Sequence, residues 1–120
     1  MCSLLEINKG IYVADIKAKY VLNIIENAKK CLNIDRIMLF GSATNTRCNE
    51  YSDIDIAVFG SKKKNLYLRT KEYRRFLESI FSFDGEFFQD YDILYFESDK
   101  EYNDLIIEDI NNGVEIYRRK

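Results

Sequence analysis

The sequence contains no histidine, no proline and no tryptophan. Without histidine, the chain has no imidazole for general acid–base chemistry, for a histidine-containing catalytic triad or for a zinc ligand. Any catalysis must therefore depend on carboxylates, basic side chains and a bound metal. No apolar run approaches the roughly 20 residues that cross a bilayer, so the sequence predicts no membrane contact.

The three cysteines, Cys2, Cys31 and Cys48, do not have the spacing of metal ligands. Their odd number and the absence of a secretory segment predict a reduced, cytoplasmic protein. The net charge of −2 gives no general basic footprint. We therefore do not expect nucleic acid as a partner.

At 120 residues, of which 47% are hydrophobic, the chain is expected to form one domain with a substantial core. Hydrophobic periodicity predicts alternating helices and strands. They lie, in chain order, at 17–32 (helix), 36–40 and 53–59 (strands), 65–81 (helix), 91–96 (strand), after Ser98 (helix) and at 114–117 (strand), with a further short strand around 11–13. This order predicts an α+β fold with a mixed β-sheet flanked by helices.

Two of the predicted helices carry detailed signals. The first has an apolar stripe of Val21, Ile24, Ile25, Ala28 and Leu32. In the last, Ser98 and Glu101 have the spacing of a capping box, and Gly113 stands where a C-terminal glycine cap is expected. Its expected buried stripe is Tyr102, Leu105, Ile106 and Ile110.

The segment FGSATNTRCNEYSDIDIAVF carries most of the functional information. Gly41-Ser42 leaves one apolar strand, and Asp53 and Asp55 lead into the next. Side chains alternate along a strand, so the two aspartates should share a face, where they would repel each other without a cation. Mg²⁺ prefers oxygen ligands, and backbone N–H groups with a hydroxyl at a Gly-Ser turn can meet a phosphate. The segment therefore predicts a metal and nucleotide site.

This combination resembles the signature of the polymerase-β-like nucleotidyltransferase superfamily. The short length is similar to its minimal nucleotidyltransferase (MNT) branch, and the resemblance covers about residues 17–117. It implies the superfamily's fold and a third carboxylate on a neighbouring strand. Asp92 directly leads the hydrophobic run of that strand and is preferred over Asp90. Asp53, Asp55 and Asp92 would then be the catalytic residues and would hold two Mg²⁺ ions.

The nucleotide-binding residues that the resemblance implies are Gly41, Ser42 and Arg47. The chain departs from the family at this loop: many relatives have Arg and Gly shortly after Gly-Ser, where this chain has Thr44 and Asn45. Arg47 follows later and could partly replace the missing arginine. An arginine simply solvated in a loop is the alternative interpretation.

The resemblance implies an Mg²⁺-dependent transfer of a nucleoside monophosphate, AMP from ATP, to an acceptor. MNT proteins of this length typically act as antitoxins of a HEPN-domain protein, which predicts a hydroxyl of that partner, on a tyrosine, as the acceptor. One alternative is transfer to a small molecule, as in aminoglycoside nucleotidyltransferases. Another is an inactive module that only binds a partner. The intact Ser42, Asp53 and Asp55 argue against an inactive module, whereas the altered loop after Ser42 argues for it.

Overall fold

A computed structural model of the chain describes residues 2–84 and 88–120. Their strands are β1 (Leu4–Asn8), β2 (Ile11–Ala14), β3 (Ile34–Phe40), β4 (Ile54–Gly60), β5 (Tyr91–Glu97) and β6 (Val114–Arg118). Their helices are α1 (Ala18–Ala28), α2 (Lys64–Tyr67), α3 (Lys71–Phe81) and α4 (Leu105–Asn111), and short 3₁₀ turns lie at Asp15–Lys17 and Gly41–Thr44.

The main sheet has four strands in the order β5-β4-β3-β6. Strands β4 and β5 are parallel, whereas β3 is antiparallel to both β4 and β6. The sheet is therefore mixed, and the predicted α+β fold class is confirmed. Strands β1 and β2 form a separate antiparallel hairpin. Its β2 contains the strand expected around residues 11–13, whereas β1 was not predicted.

Helices cover both faces of the main sheet. Alternation along β4 sends Ile54 and Ile56 to one face and Asp55 and Ala57 to the other. The first face packs against the apolar sides of α1 and α3. The second packs against α4 through Ile110. Because α4 is short, Asp55 is only partly covered on this second face.

The predicted helix at 65–81 is interrupted, and Thr70 is the cause. Thr70 has an extended backbone, and its hydroxyl accepts a hydrogen bond from the backbone N–H of Tyr73 at 3.2 Å. This is the N-cap that threonine favours, so α2 ends and α3 begins there. The first helix is also shorter than predicted: α1 ends at Ala28, and Leu32 is 70% exposed instead of buried.

The predicted start of the last helix is wrong. The Ser98 hydroxyl donates to Asp35 Oδ2 at 2.7 Å and caps no helix, and α4 begins only at Leu105, which is 84% exposed. Gly113 does follow the helix but does not have the positive φ of a glycine cap. Its missing side chain instead permits close approach to β3, since a Cβ there would collide with the carbonyl oxygen of Leu39.

Candidate active site

Asp55 lies at one end of the main sheet, between two neighbours. On one side it pairs with Phe40, the last residue of β3, and on the other with Asp92, near the start of β5. Directly paired residues of adjacent strands project from the same face, so Asp55 and Asp92 lie side by side. We call the region formed by Gly41, Asp53, Asp55 and Asp92 the carboxylate end of the sheet.

The environment of Asp55 raises its pKa to about 6. Partial burial is the largest cause, followed by the negative charges of Asp92 and Asp53. Asp53 directly precedes β4, and both it and Asp92 are exposed. The three carboxylates therefore share one electrostatic environment, in which a bound cation would offset their mutual repulsion.

Asp90 and Asp92 differ in their surroundings. Its carboxylate accepts a hydrogen bond from the backbone N–H of Tyr91 at 2.9 Å, and its carbonyl oxygen accepts one from Ile54 N at 3.1 Å. The second of these contacts joins the start of β4 to the residue that precedes β5. The charge of Asp90 is not among the causes of the raised Asp55 pKa, whereas that of Asp92 is. Asp92 remains the preferred third carboxylate, and its role as a ligand stays a prediction.

The turn after β3 lies directly against Asp55. Gly41 has a φ of 76°, in the left-handed region that glycine adopts without strain. A Cβ at this position would collide with Asp55 Oδ2. The hydroxyl of Thr44 closes the turn by donating to the Gly41 carbonyl oxygen at 2.7 Å. Glycine is thus required at position 41 for two reasons: its backbone conformation and the space that the Asp55 carboxylate occupies.

Ser42 and Arg47 lie on the segment that follows Gly41. Ser42 is partly buried within the 3₁₀ turn, and Arg47 is exposed in the loop beyond it. The backbone N–H of Arg47 donates to Asn45 Oδ1 at 2.8 Å, which fixes the local path of the loop. Phosphate binding by Gly41, Ser42 and Arg47 stays a prediction.

The chemistry of the carboxylate end fits a hard cation such as Mg²⁺. Its donors are carboxylate oxygens, which Mg²⁺ prefers, and the missing Cβ of Gly41 leaves room for one of them. Within residues 2–84 and 88–120, no three Asp, Glu, Cys or His side chains are arranged as a complete ligand group. The carboxylates are thus near neighbours but not a closed coordination shell.

Helix α4 contributes residues to the site that the sequence analysis missed. A cavity of about 470 Å³ is bounded by Gly41, Thr44 and Asp55 on one side and by Asp109 of α4 and its C-cap residue Asn112 on the other. Asp109 and Asn112 are three residues apart on a helix, so they share one face. That spacing was visible in the sequence, but nothing there indicated that this face borders the Gly41 turn.

Lys17 and Gln89 were also missed, and they are the two buried polar or charged side chains of the described part of the chain. Lys17 bonds to the loop that leads to Asp53, and Gln89 lies on the segment that leads to Asp92. Lys17 is four residues before Val21, on the apolar stripe of the first helix. A lysine on such a stripe was therefore the available signal for burial, whereas Gln89 had none.

Comparison with known protein families agrees with this geometry. The family model described as "Polymerase beta, Nucleotidyltransferase" matches residues 22–120, which is most of the chain. The chain therefore belongs to the polymerase beta nucleotidyltransferase family. No curated protein matches the sequence significantly. Among the helices of the described residues, none is both long and apolar enough to span a bilayer.

Proposed function

We propose that this nucleotidyltransferase domain transfers AMP from ATP to a hydroxyl group of a partner protein, in an Mg²⁺-dependent reaction. The observation that carries the proposal is the position of Asp55, paired with Asp92 and in contact with the Gly41 turn. The carboxylates and the Gly41 turn thus lie at the same end of the sheet, which supports transfer from a nucleoside triphosphate if the turn binds its phosphates.

In this proposal, Asp53, Asp55 and Asp92 would hold the metal. When bound, Mg²⁺ supplies stabilisation of the negative charge on the triphosphate. The β- and γ-phosphates are bound by the N–H groups after Gly41 and by the hydroxyl of Ser42. The positively charged side chain of Arg47 also interacts with these phosphates. The acceptor oxygen forms a bond to the α-phosphorus while the bond to the pyrophosphate oxygen breaks. Asp92 takes the proton of the acceptor hydroxyl.

The proposal of a protein acceptor is supported by exposed apolar side chains around the site. Leu105 is 84% exposed and lies four residues before Asp109, which borders the cavity. Tyr51 is 80% exposed and lies two residues before Asp53. Contiguous exposed apolar groups mark surfaces that contact another protein, and in this proposal Leu105 and Tyr51 belong to such a surface. The partner is a HEPN-domain protein, and the chain acts as its antitoxin.

Incubation with ATP labelled at the α-phosphate, Mg²⁺ and a HEPN-domain partner tests the acceptor. We expect label on a hydroxyl side chain of the partner, found by mass spectrometry as an added AMP. Efficient labelling of an aminoglycoside and none of the partner would favour the small-molecule alternative. Tight binding of the partner with no transfer to either would favour the inactive module.

A further inference from the structure

Lys17 is buried to an unusual extent for a lysine. Only 1% of it is exposed, although lysine is almost never fully buried without a partner. Its ammonium group donates three hydrogen bonds, to the carbonyl oxygens of Glu50 (3.2 Å) and Ser52 (2.7 Å) and to Gln89 Oε1 (2.6 Å). All three protons of the ammonium group are therefore used, and no carboxylate receives one of them.

Gln89 extends this network to the second loop. It is 5% exposed, and its amide nitrogen donates to the carbonyl oxygens of Ser52 at 3.0 Å and Asp90 at 2.7 Å. Ser52 directly precedes Asp53, and Asp90 lies two residues before Asp92. One buried network thus holds the backbone just ahead of two of the three carboxylates.

The cost of burial indicates that this network has a purpose beyond packing. Burial lowers the pKa of Lys17, because desolvation disfavours its charged form. An apolar side chain would fit the stripe of the first helix without that cost. A charged ammonium group, however, can bind several carbonyl oxygens of an irregular loop at once, which no apolar residue can do.

We propose that Lys17 and Gln89 are positioning residues that hold Asp53 and Asp92 within reach of one cation. This inference rests on the proposed function, in which these carboxylates bind metal. It predicts that the network contributes to metal affinity although neither residue contacts the metal. Residues that orient metal ligands typically change metal affinity 10- to 100-fold when they are replaced.

The test is the affinity for Mn²⁺, measured without nucleotide by electron paramagnetic resonance on fully folded protein well below its melting temperature. We expect Lys17→Met and Gln89→Leu to weaken Mn²⁺ binding by about 10- to 100-fold. The direction of the change in Mn²⁺ affinity is informative for Lys17→Met, because removal of a positive charge near a cation site should by itself strengthen Mn²⁺ binding. Lys19→Met, which removes an exposed lysine close by in the chain, is the matched control and should change the affinity by less than about twofold.

The outcomes separate this inference from the proposed function. Wild-type protein that binds no Mn²⁺ would overturn the proposed function, and this inference with it. Wild-type protein that binds Mn²⁺, together with folded Lys17→Met or Gln89→Leu protein that binds it equally well, would overturn only the inference. If Lys17→Met does not fold, Gln89→Leu decides. Failure of both variants to fold would assign the network to the stability of the fold and overturn its positioning role.

Discussion

Asp55 and Asp92 occupy directly paired positions on two parallel strands, so two carboxylates lie next to each other at the end of the sheet. Adjacent strands are about 4.8 Å apart, a separation at which like charges interact strongly when partly shielded from water. The Gly41 turn closes the other side of Asp55. Repulsion between the two carboxylates therefore lowers the stability of the metal-free protein and favours the binding of a cation.

The first prediction concerns the pH dependence that Asp55 produces. Its pKa is about 6 in the folded protein and near 3.9 in an unfolded chain. Between those values the folded protein retains a proton that the unfolded chain has released. The contribution of Asp55 to the free energy of unfolding therefore decreases as the pH rises through about 4 to 6, and it stays low above that range.

Asp55→Asn should remove this effect. We expect the free energy of unfolding of the metal-free variant to exceed that of the wild type by about 1–2 kcal/mol near pH 7, after allowance for solvent screening, and to equal it near pH 4. Urea titrations at several pH values measure this difference. Glu26→Gln, at an exposed site on α1, is the control. A gain that does not change with pH would contradict the assigned cause.

The second prediction separates Asp92 from Asp90. Asp92→Asn should abolish Mn²⁺-supported transfer, because it removes a negative ligand oxygen. Asp90→Asn should retain most of the activity, since an asparagine oxygen can still accept the hydrogen bond from Tyr91 N. Transfer rates of the two purified variants show which of the two aspartates is the third carboxylate. Loss of activity in Asp90→Asn with normal activity in Asp92→Asn would reverse the assignment.

The third prediction uses two glycines that share a backbone conformation. Gly10 and Gly41 have φ angles of 79° and 76°, but a Cβ at Gly10 meets nothing within 4 Å, whereas one at Gly41 collides with Asp55. Gly10→Ala should cost about 1 kcal/mol of stability and leave metal binding intact. Gly41→Ala should cost about 2–3 kcal/mol and also displace Asp55, so that Mn²⁺ binding is lost.

Thermal melts and Mn²⁺ titrations of the two alanine variants measure both effects. Because the φ strain is common to both, the difference between them isolates the contact with Asp55. Equal losses of stability, with Mn²⁺ binding retained in Gly41→Ala, would show that the turn does not shape the site.

The fourth prediction concerns the partner surface. Leu105→Glu should weaken partner binding at least tenfold with little change in melting temperature, because Leu105 is 84% exposed and lies about one helical turn before Asp109, which borders the cavity. Leu32→Glu is the matched control: Leu32 is 70% exposed but precedes the start of β3, at the opposite end of the sheet from Gly41. Titration calorimetry with the partner compares them. Weaker binding in Leu32→Glu alone would place the interface elsewhere.

The central strands were predictable from the sequence because their signals are local. Apolar runs ending at Gly41 and starting after Asp53 define β3 and β4. Asp53 directly precedes β4, so the prediction that it shares a face with Asp55 stays a prediction. The interruption of the second helix had a local signal as well, since Thr70 is a good N-cap residue. The long hydrophobic pattern on both sides of Thr70, however, predicted one continuous helix and outweighed this N-cap signal.

Other features depend on contacts between distant segments and could not be predicted. The spacing of Ser98 and Glu101 predicts a helix cap. The Ser98 hydroxyl instead donates a hydrogen bond to Asp35 of β3, a residue 63 positions away in the chain. The role of Gln89 depends on the loop around Ser52, 37 positions away. The position of Asp109 opposite Gly41 likewise follows from the packing of α4 on the sheet.

The proposed AMP transfer is tested by comparing ATP labelled at the α-phosphate with ATP labelled at the γ-phosphate, in the presence of Mg²⁺ and the partner. We expect the α-label to become bound to the partner and the γ-label to be released as pyrophosphate in equal amount, whereas Asp55→Asn protein should produce neither. Transfer of the γ-label, release of inorganic phosphate instead of pyrophosphate, or full activity of folded Asp55→Asn protein would contradict the proposed transfer.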